Sequence, residues 1–267
     1  MGEREYLLAM QELLNHGNFR EGRNGGVYSL FGRQIRYPLT HSFPLFTTKF
    51  VAFKAMVVEL LWFLKGKTNV DYLHEHNVHI WDQWADENGD LGPVYGAQWR
   101  NWDGYSGLDS IDQITNVIKS IKEDPYGRRH VVSAWNPAEI EDMALPPCHC
   151  LFQFYVENGK LSCQLYQRSA DWFIGVPFNV ASYALLTMLI ARECGLRVGE
   201  LVHTVGDYHL YANHRVQALE QLNRSIDLGP MVFINAEPEI GIFDLEPHHI
   251  DLQNYHHKGV LKAPVSK

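Results

Sequence analysis

The spacing of apolar positions divides the chain into elements. Tyr6, Leu7, Met10, Leu13 and Leu14 recur at the interval of one helical face, and Gly17 follows as a stop, which predicts a first helix ending before it. Residues 18–26 are polar and glycine-rich and read as a loop; Val27 to Tyr37 reads as a strand. Val51 to Lys65 is apolar on nearly every side and closes at Gly66, the pattern of a buried helix. Ile111, Ile114, Val117, Ile118 and Ile121 trace a half-exposed helix. Strands are predicted at His130–Trp135, Cys150–Val156 and Leu161–Arg168. Between the last two, Glu157-Asn158-Gly159-Lys160 suits a tight hairpin, because Asn and Gly accept positive φ. Pro177 to Cys194 reads as a second buried helix with Gly195 at its end, Leu201 to Val205 as a strand, and His209 to Leu222 as a helix. Strands and long apolar helices mix without strict βαβ order, which points to an α+β fold: a sheet with helices packed on it.

Composition narrows the picture. With 267 residues, 46% hydrophobic and 12% aromatic, the chain can fill one large core, and no stretch stands apart from it; a single domain over 1–267 is expected. A net charge of -8 argues against a general nucleic-acid coat, so an anionic ligand has to be met by a local set of arginines. The N-terminal stretch is charged and amphipathic with no apolar signal core, and Tyr6 stands where a myristoylation motif wants Ser or Thr. The apolar run Met56 to Leu64 contains Glu59 and is too short to span a bilayer. A cytoplasmic, non-membrane protein is expected, with Cys148, Cys150, Cys163 and Cys194 as reduced thiols.

Several polar groups stand out against this background. Pro146-Pro147-Cys148-His149-Cys150 starts an extended segment in which Cys148 is a nucleophile, a ligand or plain core. As a metal centre the cluster offers at most three ligands without the paired Cys-x-x-Cys spacing, and no metal is expected there. Arg168, near the end of a strand with Ser169 and Asp171, can hold an anion and depress a nearby thiol pKa. Arg128 and Arg129 form a second basic point after a Pro turn; a solvated turn explains them equally well. Glu59 is a carboxylate inside an apolar helix and has to be neutralised, hydrogen-bonded or functional. Asn179, at the opening of another apolar helix, is an N-cap or a buried amide; His209 and Tyr211 fit a polar helix start or a site. Singly, each has a bland explanation. Together, a thiol, arginines, a buried acid and an amide suit sulfur attack on a phosphorylated, planar, hydrogen-bonding substrate.

The longer runs carry a resemblance. Glu59-Leu60-Leu61-Trp62-Phe63-Leu64, Ile80-Trp81-Asp82-Gln83-Trp84, Leu91-Gly92-Pro93-Val94-Tyr95-Gly96, Pro147-Cys148-His149, Gln164 to Asp171, Gly175 to Asn179, Gly206 to Tyr211 and Lys262 to Val265 occur in order along nearly the whole chain. This series resembles the thymidylate synthase family. The resemblance implies a homodimer with sheets packed back to back, dUMP as substrate and 5,10-methylenetetrahydrofolate as co-substrate. It implies that Cys148 adds to C6 of uracil, that C5 takes the folate one-carbon unit, and that a hydride from the folate completes the methyl group of dTMP and leaves dihydrofolate.

By the same resemblance, Arg168 touches phosphate and nucleophile, Arg128 and Arg129 cross to the partner's phosphate, and Ser169 is a further phosphate ligand. Asn179 reads uracil O4 and N3–H. His209 and Tyr211 hold the ribose hydroxyl. Glu59, Tyr95 and His149 form a proton-transfer network. Trp81, Trp84, Asp171, Gly175 and Phe178 line the folate pocket, and Ala263 and Val265 belong to a closing tail. Departures from the family pattern fall at Gly22-Arg23-Asn24-Gly25-Gly26, one residue short, where Arg23 (Arg20 second) is the candidate phosphate arginine, and at Phe50, Trp172 and Val205. A dUMP hydroxymethylase, which adds water in place of hydride, is the alternative enzyme. Deoxycytidylate hydroxymethylases carry Asp where Asn179 stands. A non-catalytic RNA-binding regulator is the reading from another class, and the retained Cys148, Arg168, Glu59 and Asn179 weigh against it.

Overall fold

The computed structural model describes residues 2–22, 25–103 and 110–265. In chain order the elements are α1 (Gly2–His16), β1 (Asn18–Arg20), β2 (Val27–Pro38), α2 (Phe53–Leu64), α3 (Asp71–Glu75), α4 (Tyr95–Arg100), α5 (Gln113–Glu123), β3 (Val131–Ser133), β4 (His149–Glu157), β5 (Lys160–Asp171), α6 (Gly175–Glu193), β6 (Arg197–Tyr211), α7 (Arg215–Leu222), β7 (Met231–Ile234) and β8 (Ile250–Gln253). Six strands form one sheet in the order β1-β2-β6-β5-β4-β3, and β7 and β8 form a separate antiparallel pair. Neighbours in the large sheet are antiparallel except β5 and β6, which run parallel. The fold is therefore α+β with a mixed sheet.

The apolar helices cover one face of that sheet. α6 packs on β5 and β6, α2 packs on α6 and α4, and α1 lies on β2. α6 is long and apolar enough to cross a membrane by length and composition, but 72% of it is buried inside the protein. A helix apolar on all sides suits this place between sheet and second helical layer. Alternation along β4 and β5 puts Phe152, Phe154, Leu161, Cys163 and Leu165 into the core, while Leu151, Tyr155, Gln164 and Tyr166 face outward and are exposed. The β4–β5 hairpin turns at Asn158 (φ +51°) and Gly159 (φ +68°), two consecutive left-handed residues of the kind a tight hairpin requires.

Several boundaries differ from the pattern-based reading. The glycine-rich stretch after Gly17 holds the short edge strand β1, paired to β2 from Asn18 to Arg20. The helix expected from Val51 starts at Phe53. Ile111 lies outside α5, bridging to Trp102, because Asp112 caps the helix by accepting the Thr115 N–H at 2.9 Å. The strand expected at 201–205 is one 15-residue strand running to Tyr211. The helix expected from His209 begins only at Arg215, so His209 and Tyr211 are strand residues.

Candidate active site

Cys148 stands just before β4, half-buried. Two backbone contacts fix it: its N–H donates to the Tyr95 hydroxyl at 2.9 Å, and its carbonyl accepts from the Arg168 N–H at 2.8 Å. A register shift follows between His149 and Leu151, which re-aims the start of β4 relative to β5. The Arg168 guanidinium reaches back to the same turn, donating from Nε to the Pro147 carbonyl (2.8 Å) and from one terminal nitrogen to the Pro146 carbonyl (3.0 Å). Its Cζ lies 5.3 Å from the centroid of the Trp135 ring. Two of its five N–H donors are thus committed and the rest remain for an anion. Burial pushes the Cys148 thiol up, and Arg168 offsets this only in part. Arg168 thus acts on the thiol in the expected direction, downward, but desolvation outweighs the charge and the net shift is upward.

Behind the cysteine runs a chain of neutral polar groups. His203 on β6 meets the Gln167 carbonyl oxygen through Nε2 at 2.9 Å. The Gln167 amide nitrogen donates to Asn179 Oδ1 and to the Ser169 carbonyl, each at 3.0 Å. Asn179 Nδ2 is 3.2 Å from His149 Nε2, and His149 Nδ1 is 3.2 Å from the Tyr183 hydroxyl. Burial, and secondarily the neighbouring His203, lowers the His149 pKa to about 3; burial lowers that of His203 to about 4. Both imidazoles are uncharged at neutral pH. Asn179 does not cap α6, which begins at Gly175; it sits a turn inside, four residues before Tyr183, so both side chains lie on the face that meets His149. The amide keeps one N–H and one lone pair free for a ligand.

Glu59, on α2, comes to the same place from the helical layer. Its Oε1 accepts the Trp81 indole N–H at 2.7 Å. Burial raises its pKa to about 7, with the Trp81 hydrogen bond acting against the rise. The Tyr95 ring stacks on His149 at 4.3 Å between centroids and lies 6.3 Å from Trp81, so acid, phenol and imidazole form one wall. Trp84 packs edge-on against Trp81 at 5.5 Å.

The far ends of β5 and β6 bring further expected residues together. Ser169 is in register with Asp207, and Asp171 with His209. His209 Nδ1 lies 3.1 Å from Asp207, whose carboxylate also accepts from Ser29 (3.0 Å) and Arg20 (3.3 Å). The His209 hydrogen bond leads in holding that carboxyl below its ordinary range. Tyr211 packs edge-on against His209 at 5.2 Å. Asp171 accepts the N–H groups of Phe173 and Ile174 at 3.0 and 3.1 Å, shaping the turn into α6 at Gly175. Arg20 is held by Asp207, and Arg23 lies outside the described residues. Arg128 and Arg129 precede β3 at the sheet edge, exposed and without an ion-pair partner among the described residues.

A cleft of about 370 Å³ lies beside α6, lined by Phe178, Pro177, Phe173 and Lys49 on one side and by Ala263 and Val265 on the other. The tail reaches it because His214 Nε2 holds the Pro264 carbonyl (2.7 Å) and Gln217 the Lys262 carbonyl (3.0 Å). Phe178, Ala263 and Val265 therefore share this cleft, while Trp81 and Trp84 belong to the Glu59 wall. Gln167, Tyr183 and His203 were not singled out from the sequence as site groups. Gln167 occupies an inward position of β5, and Tyr183 follows Asn179 by one helical turn; those two spacings were the available signals.

Comparison with known families places the chain in the class of one-carbon transferases. The family model described as thymidylate synthase matches residues 4–267, and the chain belongs to the thymidylate synthase family. The family transfers a one-carbon unit to C5 of a pyrimidine nucleotide and in general uses methylenetetrahydrofolate.

Proposed function

We propose that the chain is one catalytic domain over 1–267 that converts dUMP to dTMP, with Cys148 as the nucleophile. The observation that carries this reading is the convergence on Cys148 of a hydrogen-bonded amide, an uncharged imidazole, a carboxyl poised near neutrality and an arginine with free donors. Arg168 and Ser169, joined by Arg23 and by Arg128 and Arg129 of a second copy, receive the phosphate. His209 and Tyr211 hold the sugar. The free N–H and lone pair of Asn179 match O4 and N3–H of uracil. Cys148 loses its proton as sulfur adds to C6, which makes C5 nucleophilic. Glu59, with a pKa of about 7, is suited to exchange a proton with the ring near neutral pH. Tyr95 holds the Cys148 backbone and shares in the removal of the C5 proton.

The apolar, aromatic-walled cleft fits a flat folate ring, with Phe178, Ala263 and Val265 in its lining. Asp171 and Gly175 at the turn into α6, and Trp81 and Trp84 on the Glu59 wall, are proposed as further folate contacts outside that lining. When bound, 5,10-methylenetetrahydrofolate supplies the one-carbon unit and the reducing hydride. The tail over the cleft and the Trp81 wall keep water from the reacting carbon, which favours methyl over hydroxymethyl product.

A homodimer completes the proposal. The outer face of the sheet presents Gln34, Thr204, Tyr166 and Leu151 in one row and Arg36, Val202, Gln164 and Gln153 in the next. This surface, with its exposed Leu151, Tyr155 and Tyr166, suits a second copy packed back to back. The four free thiols accord with a cytoplasmic enzyme.

The test is product analysis after incubation with dUMP and methylenetetrahydrofolate. The proposal expects dTMP and dihydrofolate from the wild type, and none from Cys148→Ala with nucleotide binding retained. Formation of 5-hydroxymethyl-dUMP and tetrahydrofolate would establish the hydroxymethylase instead.

A further inference from the structure

The turn that carries Trp81 also holds a cluster that the proposed chemistry leaves unused. After α3, Asn77 adopts φ +57° and reverses the chain, so that His79 returns beside His74 with ring centroids 4.8 Å apart. Asp82 is shared between them: His74 Nε2 lies 2.7 Å from one carboxylate oxygen and His79 Nδ1 lies 2.9 Å from the other. The three residues are exposed, and their ligand atoms all fall within 4.8 Å of one another. His76 is turned away, with Nδ1 3.0 Å from the Tyr72 carbonyl and Nε2 3.8 Å from Glu246.

We infer that His74, His79 and Asp82 form a surface site for a divalent ion of the zinc, cobalt or nickel class. The donor set decides the class. Two imidazole nitrogens and one carboxylate suit borderline first-row ions, whereas calcium and magnesium prefer oxygen ligands throughout. A surface ion pair needs one imidazole; here two from opposite sides of a left-handed turn converge on one carboxylate. In a tetrahedral zinc site the ligand atoms stand about 3.3 Å apart, which follows from metal–ligand bonds of about 2.0 Å. The two histidine–carboxylate separations, 2.7 and 2.9 Å to different oxygens of Asp82, are shorter than this, while the ligand atoms as a set span up to 4.8 Å. The three side chains therefore re-seat around the ion, an adjustment at exposed positions. In the metal-bound site each imidazole carries its single N–H on the ring nitrogen that faces away from the ion. Water takes the remaining coordination. The ion ties α3 to Asp82, the neighbour of Trp81, whose indole holds Glu59. The site thereby braces the wall of the proposed active site from outside, without contact with the nucleotide.

Calorimetric titration of the full chain with zinc chloride near neutral pH tests this. The wild type should bind one ion per chain, and His79→Thr and His74→Ala should each weaken that site at least tenfold. Cys148→Ala should bind as the wild type does. Circular dichroism identifies any variant that fails to fold; His79, with 57% of its side chain exposed, is the substitution that folding tolerates best. Absence of binding by the wild type, unchanged affinity in a folded His79→Thr, or loss of the site in Cys148→Ala would overturn the inference. The readout is metal binding alone, so its outcome is independent of whether dUMP is the substrate.

Discussion

Replacing Glu59 with glutamine should make the protein more stable as the pH rises, while removing its activity. The carboxyl carries a pKa of about 7 in the folded chain against an ordinary value of 4.5. Between those values the native state holds a proton that the unfolded chain has released, so stability falls as pH rises through that window. The full difference corresponds to roughly 3 kcal/mol, at about 1.4 kcal/mol for each tenfold change in proton affinity. Below pH 4.5 both states are protonated and the penalty is absent; above 7 it is complete. Glutamine is neutral at every pH and still offers a carbonyl oxygen to the Trp81 indole, so it removes the penalty without emptying the site. Chemical unfolding of both proteins at pH 5 and pH 8, at one fixed protein concentration, should show the variant gaining up to about 3 kcal/mol over the wild type between the two conditions. A stability difference that is the same at both pH values would refute the assignment of a neutral-range pKa to Glu59. Retained turnover in the variant would separately remove Glu59 from the chemistry.

Three further outcomes follow. Asn179→Asp should shift preference from dUMP towards dCMP, since a mismatched buried polar pair costs about 1–3 kcal/mol, and competition between the two nucleotides measures it. Mixing inactive Arg128→Ala chains with inactive Cys148→Ala chains should restore part of the activity if these exposed arginines serve a partner's site; a fully active monomer in sedimentation would contradict it. Deleting Val265 to Lys267 should open the cleft and divert product to 5-hydroxymethyl-dUMP, detected by mass analysis, whereas an unchanged product would free the tail of a sealing role.

The sequence made some of this architecture plain and concealed the rest for physical reasons. α2 and α6 were readable because helices buried on all sides are apolar on all sides, and β4 and β5 because alternation exposes one face and buries the other. The end of β6 was not, since the polar His209 and Tyr211 resemble a helix start when their sheet partners are unknown. β1 is three exposed residues whose only signature is pairing with β2. Glu59 and Asn179 could be marked as anomalies from their apolar surroundings. Of their partners, Trp81 and His149 entered only through the family resemblance and Gln167 not at all, because the tertiary fold is what brings these side chains to Glu59 and Asn179.

The hydrogen-bonded line from His203 to Tyr183 has a mirror state. Every internal link could be reversed by turning over the Gln167 and Asn179 amides and exchanging the histidine tautomers, without breaking a covalent bond or moving the backbone. In that reversed state Asn179 would present its oxygen where it now presents its nitrogen, and the pattern would complement cytosine rather than uracil. One contact removes the degeneracy. The Ser169 carbonyl, which has no hydrogen to give, takes a bond from the Gln167 amide nitrogen and would face a bare oxygen if that amide turned over. A main-chain oxygen that a side-chain substitution cannot delete thus sets the sense of the whole line. Under the proposed function, the choice of base is written into the path of the β5 backbone as firmly as into the identity of Asn179.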